Sequence, residues 1–225
     1  MWRFSHLSVR EYLEEKKAWT LPQAHGHATC ACLSVLNNTY GPDAGLDPSG
    51  QLTKLQSLFD LSHPFQIYVE HYWVFHVQGL QDGEHKLLTS LLKSFLGSPE
   101  ESSPQYRKWF SHIEDNSRLS KTIFNKSRLI KPEIAPQNIA LFAMCRFAFA
   151  TVLRDWWDSA GLKVLHVNNC DHNLLTLAAM AGCTPICKIL IKRGIEVNSR
   201  VPNAMTYCCA LVGAAGEGKI ETLST

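Results

Sequence analysis

The fold prediction rests on one stretch of the chain, Leu175-Thr-Leu-Ala-Ala-Met-Ala-Gly182-Cys-Thr-Pro185-Ile-Cys-Lys-Ile-Leu-Ile-Lys-Arg-Gly194-Ile-Glu-Val-Asn198. Its apolar residues fit two short helices separated by Gly182, where a glycine lets the backbone turn back. Pro185 suits the first turn of the second helix. Backbone N–H groups there make no hydrogen bond within the helix, so the N–H that proline lacks is not needed. Gly194 can then end that helix in a left-handed conformation. We therefore predict a helix-turn-helix unit.

The same pattern recurs on both sides of this unit. Aligning Ala148, Gly182 and Gly218, at spacings of 34 and 36 residues, also superimposes a leucine seven residues earlier in each copy. A period of this length is typical of stacked supersecondary units. We predict an all-α fold in which residues 1–131 form a helical spacer. Residues 132–225 then form a short solenoid of about three degenerate repeats, at 137–169, 170–202 and a shortened 203–225.

The spacer contains several predicted helices. Ser8 and Glu11 fit a capping box, which predicts a helix over residues 9–17. Apolar periodicity predicts further helices over 23–37 and near 51–60, 66–78 and 84–96. Residues 41–50 and 97–104 are rich in Gly, Pro, Asp and Ser and predict loops. Residues 117–131 carry five basic residues among few apolar ones and predict a solvated connector, with a phosphate-binding strip as the alternative.

The repeat resembles the ankyrin repeat. The resemblance is carried by the Ala178-Ala-x-x-Gly182 turn and by the Gly194-Ile-Glu-Val-Asn198 exit. It implies a non-catalytic interaction module that presents hairpin tips and inner helices to a protein partner. Asn173-Leu-Leu-Thr176 stands where ankyrin repeats usually carry Thr-Pro-Leu-His. The histidine network between repeats is then absent, and the stack is expected to be held mainly by packing.

The first residues resemble another part of the same kind of protein. Phe4-Ser-His-Leu-Ser-Val-Arg-Glu-Tyr-Leu13 is similar to the segment that follows the NACHT-type nucleotide-binding core of large fungal ankyrin proteins, which are STAND signalling NTPases. There the segment ends a winged-helix-like unit and leads through a helical spacer into the ankyrin array. This resemblance leaves two alternatives open, a regulatory fragment acting in cis on an NTPase core that this chain lacks, or a truncated gene product without an independent role.

Composition excludes several classes of function. Hydrophobic residues make up 45% of the 225 residues and charged residues 19%, which is typical of globular proteins. The 22 basic and 20 acidic residues give a net charge of only +2, which lacks the large positive excess of nucleic-acid binders. We predict no membrane segment, because no apolar run approaches the ~20 residues that a span requires. Most of the eight cysteines lie in apolar patterns without regular disulfide spacing, and the start resembles no signal peptide, so we expect a reducing, cytoplasmic location.

Two short segments imitate functional motifs. Gly213-Ala-Ala-Gly-Glu-Gly-Lys219 is one residue short of a phosphate-binding P-loop, but Ile220 replaces the hydroxyl that would hold Mg²⁺. His25, His27, Cys30 and Cys32 are metal-ligand types, yet on a single helix they point to different sides. Without other catalytic motifs, we expect no enzyme activity, no cofactor and no metal site.

The predicted interaction site lies at the hairpin tips. Turn geometry should push polar residues outward there. The alternative is that they only shape the turns. We also expect the open edge of the last repeat either to fray from about Val201 onward or to be covered by self-association, because stacked repeats bury their apolar faces only against neighbours. The candidate partner-binding residues are Asn168, Asn169, Asp171, Asn198, Arg200 and Asn203.

Overall fold

The computed structural model describes residues 20–41, 64–80, 86–119, 132–136, 139–158, 166–199 and 209–223. These residues are mostly helical and contain no strand, only isolated bridges that pair Gly97 with Ser102 and Val167 with Asn173. The prediction of an all-α fold is therefore confirmed for this part of the chain. The predicted helices over 9–17 and near 51–60, and most of the connector at 117–131, lie outside the described residues.

Four helices form the described part of the spacer: α1 (Leu21–Thr39), α2 (Pro64–Gln78), α3 (Lys86–Leu96) and α4 (Pro104–Leu119). The predictions over 23–37, 66–78 and 84–96 are confirmed to within two residues at each end. Helix α1 starts at a capping box, in which the Thr20 N–H donates to Gln23 Oε1 at 3.1 Å. It packs against α2 and α3, and α3 packs against α4.

Helix α4 was not predicted from the sequence. Ser103 caps it, because its Oγ accepts a hydrogen bond from the Tyr106 N–H at 3.0 Å, and Pro104 occupies the first turn. Tyr106, Trp109 and Ile113 follow at helical spacing and are all buried. The helix continues to Leu119, so the start of the segment predicted as a connector is helical instead.

The second half consists of helix pairs. After a 3₁₀ turn at Pro132–Ile134 come α5 (Ala140–Phe147), α6 (Arg154–Asp158), α7 (Leu174–Ala181), α8 (Thr184–Lys192), α9 (Ala210–Gly216) and α10 (Ile220–Leu223). Helix α7 packs against α5 on one side and α9 on the other, and α8 packs back onto α7. The predicted helix-turn-helix over residues 175–198 is confirmed, with Pro185 in the first turn of α8 and Gly194 at a φ of 88°.

The three aligned turn positions share one backbone conformation. Ala148, Gly182 and Gly218 have φ angles of 59°, 74° and 67°, in the left-handed region. Each donates its N–H to the carbonyl three residues earlier, at 3.2, 3.0 and 3.1 Å, respectively. In each case the next residue donates to the carbonyl five residues before it, at 3.0, 2.9 and 2.8 Å. This is the Schellman pattern of helix termination, and it occurs at every copy of the aligned position.

An aromatic cluster joins the two halves of the molecule. The Trp73 ring of α2 makes edge contacts with Phe95 and Trp109 in the spacer, at centroid distances of 5.2 and 5.6 Å. It contacts Phe147 and Phe149, at the end of α5, at 5.5 and 6.0 Å. Edge-to-face geometry is favourable for aromatic pairs in a core. The hydrophobic core therefore runs without a break from the spacer into the first helix pair.

Hydrogen bonds reinforce this junction. Gln78 Nε2 donates to the carbonyl of Phe147 at 2.9 Å, which ties the end of α2 to the end of α5. The buried Tyr106 hydroxyl of α4 donates to the carbonyl of Ile134 at 3.0 Å. Both bonds satisfy carbonyls that helix termination and the 3₁₀ turn leave available. The spacer is thus docked on the first helix pair.

Candidate functional site

The first predicted tip is the turn that precedes α7. Asn168 is only 3% exposed, and its Oδ1 accepts from the backbone N–H groups of Cys170 and His172, both at 2.9 Å. Its Nδ2 donates to the carbonyl of Glu133 at 3.0 Å. The expectation that Asn168 points outward is wrong, because an asparagine amide can satisfy the backbone groups that a tight turn leaves unpaired.

The other candidate residues are placed differently. Asn169 is exposed, and Asp171 is half-buried with a φ of 60°, the left-handed conformation that aspartate tolerates in turns. Asn198 is exposed in the turn after α8, beside the exposed Val197. Arg200 and Asn203 lie outside the described residues. We call the four exposed or half-buried residues Asn169, Asp171, Val197 and Asn198 the tip residues.

His172 is a buried histidine beside the first tip. Both of its ring nitrogens are enclosed without a hydrogen-bond partner, and so is Oε2 of Glu133. Burial lowers the pKa of His172, and the charges of Glu133 and Asp171 oppose that shift. The imidazole is therefore neutral near pH 7. The sequence analysis did not single out this residue.

A second group of histidines joins α1 to α2. His25 Nδ1 lies 3.1 Å from His76 Nδ1, and the other ring nitrogen of His76 is hydrogen-bonded to the Tyr68 hydroxyl. Burial, and then the proximity of His25, lowers the pKa of His76. His25 thus pairs with a residue of another helix rather than with the cysteines near it in sequence. Among the residues that the structure describes, no three His, Cys, Asp or Glu side chains are grouped to hold a metal ion.

Glu70 forms a third polar group inside the spacer. It is 4% exposed, and its Oε1 accepts from the Tyr40 hydroxyl at 2.8 Å and from Gln66 Nε2 at 3.1 Å. His112 Nε2 of α4 lies 3.7 Å from the same oxygen. Burial lowers the pKa of both His71 and His112, and the Glu70 carboxylate opposes the shift in each case. The group links the end of α1, the middle of α2 and α4.

Four buried or half-buried histidines predict acid sensitivity. His71, His76, His112 and His172 all have a pKa below the ordinary value in the folded state. As the pH falls below about 6.5, these histidines become protonated in the unfolded chain but stay largely neutral in the folded chain. The free energy of unfolding should therefore be highest above that pH and should decrease between about pH 7 and pH 5. Urea denaturation at a series of pH values measures this.

A matched pair of variants assigns the acid effect. His172→Gln should flatten part of the pH dependence, because it removes one buried group that titrates differently in the two states. His166→Gln is the control, since His166 is exposed. A urea midpoint that stayed constant over this pH range would show that the buried histidines do not resist protonation.

An exposed aromatic surface runs along α2. Phe65, Tyr68, Tyr72 and Phe75 lie at intervals of three, four and three residues, on one side of the helix, and are between 39% and 58% exposed. We call these four residues the aromatic face. The helix has one Asp, Glu, Lys or Arg residue, Glu70, which is buried. A surface helix normally carries a charged outer side, and a contiguous apolar patch in its place indicates a binding surface.

The last helix pair also leaves apolar side chains uncovered. Val212 of α9 is exposed, whereas Thr176, at the aligned position of α7, is buried against α9. A Cβ atom placed on Gly213 would lie 3.6 Å from Thr176 Cγ2, so the two helices are in close contact there. Leu211 and Ile220 are exposed near Val212 in sequence. We call Leu211, Val212 and Ile220 the end face, and self-association through it stays a prediction.

The segment that imitates a P-loop is folded as a helix and a turn. Gly213 and Gly216 are within α9. The N–H groups of Gly218 and Lys219 donate to the carbonyls of Ala215 and Ala214 at 3.1 and 2.8 Å. In a P-loop, such N–H groups point at phosphate oxygens. Here they are used for helix termination.

Comparison of the chain with protein-family models, with curated proteins and with solved structures finds no match. Within the described residues, no helix has the length and apolar character that crossing a bilayer demands. The candidate functional surfaces are therefore the tip residues, the aromatic face and the end face, and each is defined by this chain's own geometry.

Proposed function

We propose that this chain is a non-catalytic protein-interaction module of ankyrin-repeat type. The observation that carries the proposal is the recurrence of one left-handed, Schellman-type turn at Ala148, Gly182 and Gly218. The inner helices α5, α7 and α9 also pack side by side. A stack of this kind presents its loops in a row, and loops on a rigid scaffold are common binding positions.

The tip residues are the proposed partner-binding surface. Asn169 and Asn198 are exposed and uncharged, so they can donate and accept hydrogen bonds without desolvation of an ion. The first tip is held rigidly by the three hydrogen bonds of Asn168, which reduces the conformational entropy lost on binding. The partner is a protein, because a short row of polar turns beside an exposed valine suits a folded protein surface better than a small ligand.

Substitution at the tips tests the proposal. Tagged wild-type chain and the double variant Asn169→Arg, Asn198→Arg would be expressed in the source cells, cross-linked and purified for quantitative mass spectrometry. We expect at least one protein to be recovered about tenfold less with the double variant, a difference of about 1.4 kcal/mol in binding. Leu87→Arg is the control, because Leu87 is an exposed residue of α3 outside the tips.

Circular dichroism of the purified variants would show that each remains folded. If every recovered protein were bound equally by the double variant and the wild type, the tips would not be the interaction surface.

A further inference from the structure

The aromatic face has the same order of residues in both directions. Phe65 and Phe75 are its outer members, and Tyr68 and Tyr72 are its inner members. If two copies of α2 lie antiparallel, with a two-fold axis between Tyr68 and Tyr72, each phenylalanine faces a phenylalanine and each tyrosine faces a tyrosine. A two-fold interface requires such a self-complementary patch. We propose that this chain forms a homodimer through the aromatic faces of two antiparallel α2 helices, a surface independent of the tip residues.

The rings are already ordered for such an interface. The Tyr68 and Tyr72 rings stack at 5.0 Å with planes 19° apart, and the Phe65 and Tyr68 rings lie at 6.4 Å and 13°. Phe75 rests with edge geometry against His25 at 5.3 Å. The Tyr68 hydroxyl is hydrogen-bonded to His76, which fixes that ring further. Pre-ordered side chains lose little rotamer freedom on association.

Charge favours a second copy of the chain. In a two-fold contact a residue close to the axis meets its own copy, so a charged side chain there would be placed near an identical charge. The aromatic face carries no charged side chain, and Glu70 of the same helix is buried and hydrogen-bonded to Tyr40. Two copies can therefore approach without electrostatic repulsion at the centre of the contact.

The area available predicts a reversible dimer. Aromatic side chains bury about 150–250 Å² each when enclosed, so at the observed exposure roughly 100 Å² per ring remains to be buried. Four rings from each copy give about 800 Å², below the ~1,200 Å² typical of stable interfaces. We expect a dissociation constant in the micromolar range, as for transient complexes.

Sedimentation velocity over a wide range of protein concentration tests dimer formation. The full chain should sediment as a monomer when dilute and as a dimer when concentrated. Tyr72→Glu should weaken dimerisation at least tenfold, because it buries a carboxylate opposite an aromatic ring. Leu87→Glu is the matched control, since Leu87 is an exposed apolar residue of α3 outside the face, and it should leave the dissociation constant unchanged.

A charge-swap pair tests the antiparallel register. Phe65→Lys and Phe75→Glu should each weaken the homodimer, because each places two charges against phenylalanine. A mixture of the two variants should form a heterodimer at least tenfold tighter than either homodimer, since the lysine of Phe65→Lys in one copy then faces the glutamate of Phe75→Glu in the other. In a parallel register these two positions are far apart, at about 15 Å along the helix, and mixing would give no recovery.

Three results would overturn the proposal. They are a monomer at every concentration, a dimer that Tyr72→Glu does not weaken, and a mixture of charge-swap variants without recovery. Leu211→Glu, on the end face, provides the last comparison. A dimer lost in Leu211→Glu and retained in Tyr72→Glu would place the contact at the end face instead.

Discussion

Trp73→Ala is expected to lower the free energy of unfolding by about 3–5 kcal/mol, the range for removal of a fully buried aromatic side chain. The Trp73 ring is fully buried and contacts aromatic residues of both halves of the molecule. Its removal leaves a cavity at the junction that rigid neighbouring rings cannot fill. Urea denaturation followed by circular dichroism would measure the loss.

Trp73→Phe is a smaller change, which keeps an aromatic ring at this position but removes the indole N–H and part of the ring volume. The Trp73 Nε1 atom is buried without a hydrogen-bond partner, so its removal forfeits no bond. We therefore expect Trp73→Phe to lose less than half the stability lost in Trp73→Ala. Leu87→Ala, at an exposed position, should change stability by less than about 0.5 kcal/mol. Equal urea midpoints for Trp73→Ala and the wild type would show that the contacts of the Trp73 ring do not contribute to stability.

Gly182→Val is expected to destabilise the second half by about 2 kcal/mol. Gly182 has a φ of 74°, a conformation in which a β-branched residue is strained by roughly 1–3 kcal/mol. A Cβ atom there would also lie 2.9 Å from Cδ of Lys219, which would have to move. Chemical denaturation gives the test. An unchanged midpoint would mean that residues 175–198 do not depend on this turn.

Ala148→Gly is the complementary experiment at the aligned position. Ala148 adopts a φ of 59° although it has a side chain, so it carries strain that a glycine would relieve. Part of that gain is lost because glycine is more flexible in the unfolded chain. We expect a net stabilisation of up to about 1 kcal/mol. A destabilisation by Ala148→Gly would show that contacts of the alanine methyl outweigh the backbone strain.

The sequence predicts a helix well where the residues that begin and end it lie within it or next to it. The predictions of α7 and α8 were correct because Gly182, Pro185 and Gly194 each impose a backbone constraint that does not depend on the rest of the fold. Helix α4 was missed although Ser103 and Pro104 mark its start. Residues 97–104 were predicted to be a loop and residues 117–131 a connector, and no element was predicted between them.

The surfaces were harder to predict because they depend on distant residues. Asn168 was expected to face solvent, but the carbonyl of Glu133 and two backbone N–H groups bind its amide. The burial of both ring nitrogens of His172 without a hydrogen-bond partner was likewise not predicted. The aromatic face was recognisable in principle, since aromatic residues recur at helical spacing along α2 and Glu70 is its single Asp, Glu, Lys or Arg residue. Which of its sides is covered depends on how α1 and α3 pack.

The junction at Trp73 has a consequence for the order of folding. The spacer helices form an aromatic centre of their own, with Trp73, Phe95 and Trp109 in mutual contact. This centre can collapse first, and α5 then adds to it through Phe147. Each later helix pair packs on the one before it, so we expect structure to form from this centre towards the C-terminus. Synthesis on the ribosome proceeds in the same direction, and each emerging pair therefore meets a docking face that is already folded.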